Sequence, residues 1–163
     1  MVTSRTAWEV AAATPDPELP NLTVADLGIL RSVEQTADAL VVTITPTWSG
    51  CPAMHEIGAD LRARLNRAGW ADVVVRTALA PPWTTDWITP EGHEKLRSAG
   101  IAPPGPARTG PVALTLGSGP DPVPCPNCGA ADTERTAEFG ATACKALYRC
   151  RSCREPFEAV KPF

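Results

Sequence analysis

Six cysteines are spread unevenly along the chain: Cys51 stands alone in the first 124 residues, and Cys125, Cys128, Cys144, Cys150 and Cys153 crowd the end. Four of the five form two C-x-x-C pairs, "CPNC" and "CRSC", separated by 21 residues. Two hairpin turns that each offer two thiolates suit a tetrahedral ion with metal–sulfur bonds of about 2.3 Å. The expected ligands are therefore Cys125, Cys128, Cys150 and Cys153, in a zinc-ribbon-like module. Zinc is the expected ion. An iron-sulfur cluster is the alternative, because it too takes four cysteines. Cys144 is a surplus thiol whose spacing would also let it replace Cys150 or Cys153. Arg149, Arg151 and Arg154 lie where they could offset the negative charge of four thiolates on one divalent ion.

Cys51 poses a different problem. It lies in "TPTWSGCPAM", after a β-rich run and just before a helical pattern. The first-turn N–H groups of a helix lack internal partners and carry partial positive charge, so a sulfur at the cap position has its thiolate favoured. Such a thiolate can ligate a metal or act as a nucleophile. Gly50 beside it would leave room for a ligand or partner to approach. The plain alternative is a small buried hydrophobe at a tight strand-to-helix turn. His55, one turn on, could share that face or be an ordinary surface residue. Asp16 and Glu18, interrupted by Pro17, form an acidic pair whose simplest role is to hold a turn. Asp86 is expected in an Asx-turn, and Trp83 and Trp87 in packing or docking.

The elements that must position these groups are legible in outline. "TAWEVAAAT" has Thr6 and Glu9 at capping-box spacing and predicts a short helix ending before Pro15. "ILRSVEQT" and "LVVTITPT" predict adjacent strands. Met54, Ile57, Leu61 and Leu65 recur at helical spacing, with Pro52 at the first position and Gly69 as the stop, so residues 52 to 68 should be a helix. "ADVVVRTAL" predicts a third strand, "PPWTTDWIT" a loop and "PEGHEKLRSAG" a final helix. This order gives a small α+β domain over residues 1–101. Residues 102–124 hold seven prolines and four glycines and read as a linker. Residues 125–163 form the cysteine module, too small to fold without its metal.

Composition narrows the function classes. The 163 residues carry 15 Lys plus Arg against 18 Asp plus Glu, so no basic field exists for a nucleic-acid backbone. No stretch is apolar enough to span a membrane, and "MVTSRTAWEV" lacks the pattern of an export signal. A cytoplasmic protein with reduced, metal-binding thiols is expected. The chain shows no phosphate-cradling glycine loop, nucleophile elbow or H-E-x-x-H. A four-thiolate ion has no open position for substrate, so no catalytic residue is assigned and the chain reads as a non-enzyme.

Two sets of segments carry a family resemblance. "DPELPNLTVADLGILRSVE", "TITPTWSGCPAM" and "APPWTTDWIT" resemble the iron-sulfur assembly domain shared by SufT-type cluster maturation factors. "PWTTDWIT…KLRSAGIAPP" followed by "FGATACKALYRCRSCREPF" resembles, along nearly the whole chain, the PaaD family found in phenylacetyl-CoA epoxidase systems. The resemblance implies that Asp16, Pro17, Glu18 and Cys51 line the working surface. It implies an accessory subunit in aerobic phenylacetate degradation, one that loads or carries metal or iron-sulfur centres rather than turning over substrate. Its implied partners are the oxygenase or reductase components of that system, with a homodimer as a further implication. Trp48 stands where the family commonly has Tyr.

Overall fold

Alternation and helical spacing resolve into two units in the computed structural model, which describes residues 4–107 and 122–163. Most of the expected linker, residues 108–121, lies outside the described residues. The first unit comprises residues up to Trp83 together with Trp87–Gly92, and the second Thr84–Asp86 together with His93–Phe163.

In the first unit, α1 (Ser4–Ala12) precedes a long turn-rich segment, then β1 (Leu30–Gln35), β2 (Leu40–Ile44), α2 (Ala53–Arg67) and β3 (Val73–Thr77). The sheet order is β1-β2-β3. β1 and β2 are antiparallel, whereas β2 and β3 run parallel with Val42 opposite Val75. A parallel pair needs a crossover of a dozen residues or more, and α2 supplies it. β2 is central and almost wholly buried, which is why it reads as a continuous apolar run rather than an alternation. Ile57, Leu61 and Leu65 of α2 are buried at three- and four-residue spacing. Each such side chain contributes about 1.5–3 kcal/mol by leaving water.

The predicted ends of α2 are close to those observed. The cap position is held by Pro52, with no side-chain cap hydrogen bond. At the other end Gly69, at φ 110°, donates to the Asn66 carbonyl while Trp70 donates to that of Leu65. These are the paired bonds of a Schellman stop. In α1, Thr6 lies inside the helix rather than at its cap, since Ser4 and Arg5 already belong to it. Packing decides this: Ala7 and Ala11, one turn apart, are fully buried.

The "WTTDW" segment contains a single 3-10 turn, Thr85–Trp87, and leads into α3 (Pro90–Ser98). The second unit holds β4 (Ile101–Ala102), β5 (Thr133–Ala137), β6 (Lys145–Cys150) and β7 (Pro156–Val160), ordered β4-β7-β6-β5. Ile101 and Ala102, placed by their sequence at the close of one domain and the start of a linker, pair in parallel with Glu158 and Ala159. One face of this sheet buries Ala102, Ala146, Tyr148, Phe157 and Ala159 together with Cys125 and Cys150. Tyr148 stacks on Phe157 at 5.6 Å between ring centroids. On the other face Lys145 is buried and ion-paired with Glu158 at 2.7 Å.

Candidate functional site

The four-thiol group is built from two similar turns. In the first, Cys125 N–H donates to the Ala130 carbonyl at 3.0 Å and Gly129 N–H to that of Cys125 at 2.9 Å. In the second, β6 ends at Cys150, whose N–H donates to the Glu155 carbonyl, and Cys153 N–H points at the Cys150 sulfur at 3.4 Å. The residue after the second cysteine of each turn has positive φ: Gly129 at 75° and Arg154 at 67°. The antiparallel β6–β7 ladder and the β5–β6 pairing of Thr133 with Cys150 fix the second turn. Thr133 Oγ1, donating to the Val123 carbonyl at 2.8 Å, ties the approach to the first.

These turns bring Cys125, Cys128, Cys150 and Cys153 together, all four sulfurs lying within 4.8 Å of one another. Cys125 and Cys153 sulfurs are 3.7 Å apart, and those of Cys128 and Cys150 3.6 Å. Four thiolates around one tetrahedral ion, with bonds of about 2.3 Å, sit about 3.8 Å apart. The donor set therefore fits a single ion. Among the described residues this is the only group of three or more His, Cys, Asp or Glu side chains that could hold a metal. Cys125 and Cys150 are buried, Cys128 and Cys153 exposed, and none of the six cysteines is in a disulfide.

The thiols are unequal acids. The Cys153 backbone N–H stabilises a thiolate on Cys150 and holds that thiol down to about 6, against an opposing push from burial. The Glu155 backbone N–H draws Cys153 down, but burial and hydrogen bonding to Cys150, Cys128 and Cys125 outweigh it and push Cys153 up to about 12. One sulfur thus ionises readily and makes the next harder to ionise, as expected for acidic groups packed this closely. Arg151, expected to offset thiolate charge, is engaged elsewhere: it pairs with Glu134 at 2.9 Å and Asp132 at 3.7 Å. Cys144 lies outside the group. It is half-buried, its sulfur 3.1 Å from Thr142 Oγ1 and its carbonyl bonded by the Lys161 N–H.

Cys51 is half-buried and precedes the Pro52 cap of α2 rather than occupying it. Its N–H closes a four-residue turn onto the Trp48 carbonyl at 3.0 Å. The space above Gly50 is taken by Trp48: a Cβ there would meet the six-membered ring of the indole at 2.8 Å. Gly50 in this structure seats the indole, where the sequence suggested an opening for a partner. His55 is exposed on the first turn of α2.

Asp16 is buried, and its Oδ1 accepts the N–H groups of Glu18 and Leu19, each at 2.9 Å. That geometry holds the turn and leaves Glu18 exposed beside it. A series of backbone bonds, Val24 to Thr14, Ile29 to Val24 and Thr45 to Ile29, ties this acidic turn to the end of β2 that leads to Cys51. Asp26 escaped the sequence reading. It is buried, accepts both the N–H and the hydroxyl of Thr23, and its carbonyl receives the Thr89 N–H. The T-x-x-D spacing of "TVAD" was the available signal. Asp86 accepts from the distant Ala107 N–H at 2.9 Å rather than from its neighbours. Trp83 is buried with its Nε1 donating to the Leu27 carbonyl, and Trp87 lies 3.5 Å beneath the Arg31 guanidinium.

Comparison with known proteins accounts for both halves of this arrangement. Residues 12–77 match the family model described as "Iron-sulfur cluster assembly protein", and residues 109–161 that of the "PaaD zinc beta ribbon domain". Over 154 residues the chain is 45% identical to a protein of Escherichia coli K12, spanning 94% of this chain and 90% of that one. The chain belongs to the PaaD family. The E. coli relative is named as one subunit of a "Putative 1,2-phenylacetyl-CoA epoxidase". A solved structure, "Domain of Unknown Function DUF59 from Bacillus anthracis", superposes on 57% of the PaaD-family chain and 90% of its own length, with a TM-score of 0.52 at 25% identity. Among the described residues, no helix is long and apolar enough to cross a membrane.

Proposed function

We propose that this PaaD-family protein is a non-catalytic accessory subunit of a phenylacetyl-CoA epoxidase system, working in the cytoplasm. It helps assemble a metal or iron-sulfur centre in a partner protein, either the oxygenase or the reductase component. The observation that carries the reading is the pairing of an iron-sulfur assembly domain with a zinc-ribbon module, in one chain that is 45% identical to a protein named as an epoxidase subunit.

The two sulfur sites divide the work. In the ribbon, Cys125, Cys128, Cys150 and Cys153 would hold a resident zinc ion that supplies folding energy and no open coordination position. That all four sulfurs lie within 4.8 Å of one another favours one ion over a cluster, whose four cysteines are spread over two or more irons. Metal analysis of anaerobically purified protein tests this. One zinc per chain is the expected result, and iron with acid-labile sulfide in equal measure would overturn it.

Cys51 is the exchange point. It stands one residue before the Pro52 cap of α2, in a half-buried turn from which a ligand can be released. Glu18, exposed on the same unit, offers a hard oxygen donor, while Asp16 holds its turn. Cys51→Ser should leave the far-ultraviolet circular dichroism unchanged and reduce the activity of an epoxidase matured in its presence. Full activity with Cys51→Ser would remove the exchange step. The Asp16 bonding and the Pro52 cap also suit a second reading, in which the turn is structural and the protein is an interaction module with no metal transfer. Transfer of radiolabelled iron to the partner separates the two.

A further inference from the structure

The two edges of the first unit's sheet are unlike each other. Edge strands expose unpaired N–H and carbonyl groups, and proteins commonly blunt them with bulges, prolines or charges. β1 is blunted by a bulge at Arg31, where its pairing with β2 shifts between Leu30 and Ser32. β3 pairs with β2 without a shift, from Leu40 opposite Val73 to Ile44 opposite Thr77, and "VVVRT" contains neither proline nor glycine. Two bonds at its ends show which of its groups are spoken for. Leu40 N–H donates to the Asp72 carbonyl and Ala78 N–H to that of Ile44, each at 2.8 Å. Residues alternate in a parallel ladder, so Asp72, Val74, Arg76 and Ala78 bond to β2 while Val73, Val75 and Thr77 turn their N–H and carbonyl groups outward. Among the described residues no strand lies beyond β3 to receive them. The side chains of Asp72, Val74 and Arg76 are exposed, Val74 at 41%, and being two residues apart they share one face. Among the described residues neither the Asp72 carboxylate nor the Arg76 guanidinium has an ion-pair partner.

We propose that the free edge of β3 is a docking surface for a second copy of this chain, the two β3 strands pairing antiparallel about a two-fold axis at Val74. Charge decides the occupant and the register. The outward groups of the two strands must face one another, which permits pairings centred on Val73, on Val74 or on Val75. Centred on Val73, Asp72 faces Val74 of the second copy. Centred on Val75, Asp72 faces Ala78 and Arg76 faces Val74. Centred on Val74, Val73 exchanges backbone bonds with Val75, Val74 meets its own counterpart, and each Asp72 stands opposite an Arg76. Both charged pairs then fall at positions without backbone bonds, where opposed side chains come closest. Opposite charges there stabilise a strand pair and like charges weaken it. Arg76 alone would deter a chance strand, but a second copy brings the matching carboxylate at the matching position. The contact is isologous, so it closes at two chains instead of growing into a fibre.

The experiment is sedimentation velocity of the full chain over a range of concentrations, in which the mass should rise from one chain to two. Asp72→Arg sets arginine opposite arginine in both pairs, and Arg76→Asp sets aspartate opposite aspartate. Each should weaken dimerisation about tenfold or more. The double reversal re-forms both pairs and should restore it. Both side chains are exposed, so circular dichroism should be unchanged across the series. Amide exchange of the unaltered chain decides the matter without any variant. The N–H groups of Val73 and Val75 should be protected at dimer concentrations and exchange quickly on dilution, whereas those of Val74 and Arg76, bonded to β2, should stay protected in both. A chain that is monomeric at every concentration would overturn the proposal. So would a dimer indifferent to both single reversals, a double reversal that fails to restore it, or Val73 and Val75 amides that exchange quickly within the dimer. Protection of those amides only when an oxygenase or reductase component is added would give the edge to that partner and overturn pairing with a second copy. The outcome is independent of what Cys51 does.

Discussion

Arg154 adopts a backbone conformation that the other cysteine turn assigns to glycine. Both residues follow the second cysteine of a C-x-x-C pair, and both have positive φ, 75° at Gly129 and 67° at Arg154. A side-chain-bearing residue there costs roughly 1–2 kcal/mol, partly offset because glycine loses about 0.5–1 kcal/mol more on ordering. Arg154→Gly should therefore strengthen zinc binding by up to about 1 kcal/mol, or about fivefold, in competition with a chromogenic chelator. Arg154→Ala should give no such gain, since alanine keeps the Cβ. The C-x-x-C pairs themselves were legible from spacing, because two thiolates on one hairpin turn suit a single tetrahedral ion. The strain at Arg154 was not, because nothing about an arginine announces its φ. Asp16 is a similar case: a carboxylate before proline looks the same whether it faces a ligand or, as here, two backbone N–H groups. Gly50 shows the converse, since the open space its sequence suggested is filled by the indole two residues earlier.

At the scale of elements, legibility followed the size of the repeating signal. α2 repeats its apolar residues over four turns and ends in glycine, so its range was predicted to within a residue at each end. Leu61 is the centre of that stripe and fully buried. Leu61→Ala should cost about 2–5 kcal/mol by leaving a cavity, a large share of the roughly 5–15 kcal/mol available to a domain. Leu147→Ala, at a position 37% exposed on β6, should cost much less. Urea midpoints of the two variants check the contrast, and equal losses would mean that α2 does not anchor the first unit. β4 gave no such signal. Two residues have no period, and Ile101 and Ala102 become a strand only because β7 presents Glu158 and Ala159 beside them. Thr6 was misjudged as a cap for a related reason: the burial of Ala7 and Ala11 outranks a local capping motif.

For the whole molecule, the two units stand on different physics. The first has an ordinary core that includes Leu22, Val42, Ile44, Ile57, Leu61 and Leu65, all nearly or fully buried. Besides Leu96 and Ile101, the second buries a cluster of three alanines, two cysteines and one Tyr–Phe stack, an area too small to offset the ordering of its chain. In the proposed function, its missing stability comes from the ion held by the four thiolates. Structural zinc sites of this kind supply on the order of 10 kcal/mol or more at neutral pH. Removing the metal should therefore unfold the second unit selectively. The chain's aromatic residues provide the readout: all five tryptophans, at 8, 48, 70, 83 and 87, belong to the first unit, and the single tyrosine, Tyr148, to the second. Added chelator should abolish amide-exchange protection along β6 and β7 and the near-ultraviolet signal of Tyr148. Tryptophan emission and the protection of β2 and α2 should persist. Acidification should act in the same direction, because the freed thiols take up protons that the metal-bound thiolates exclude, so affinity falls as pH falls. Protection of β6 and β7 that survives complete removal of zinc would show that the small apolar face is sufficient by itself, and that the four thiols are not what folds this unit.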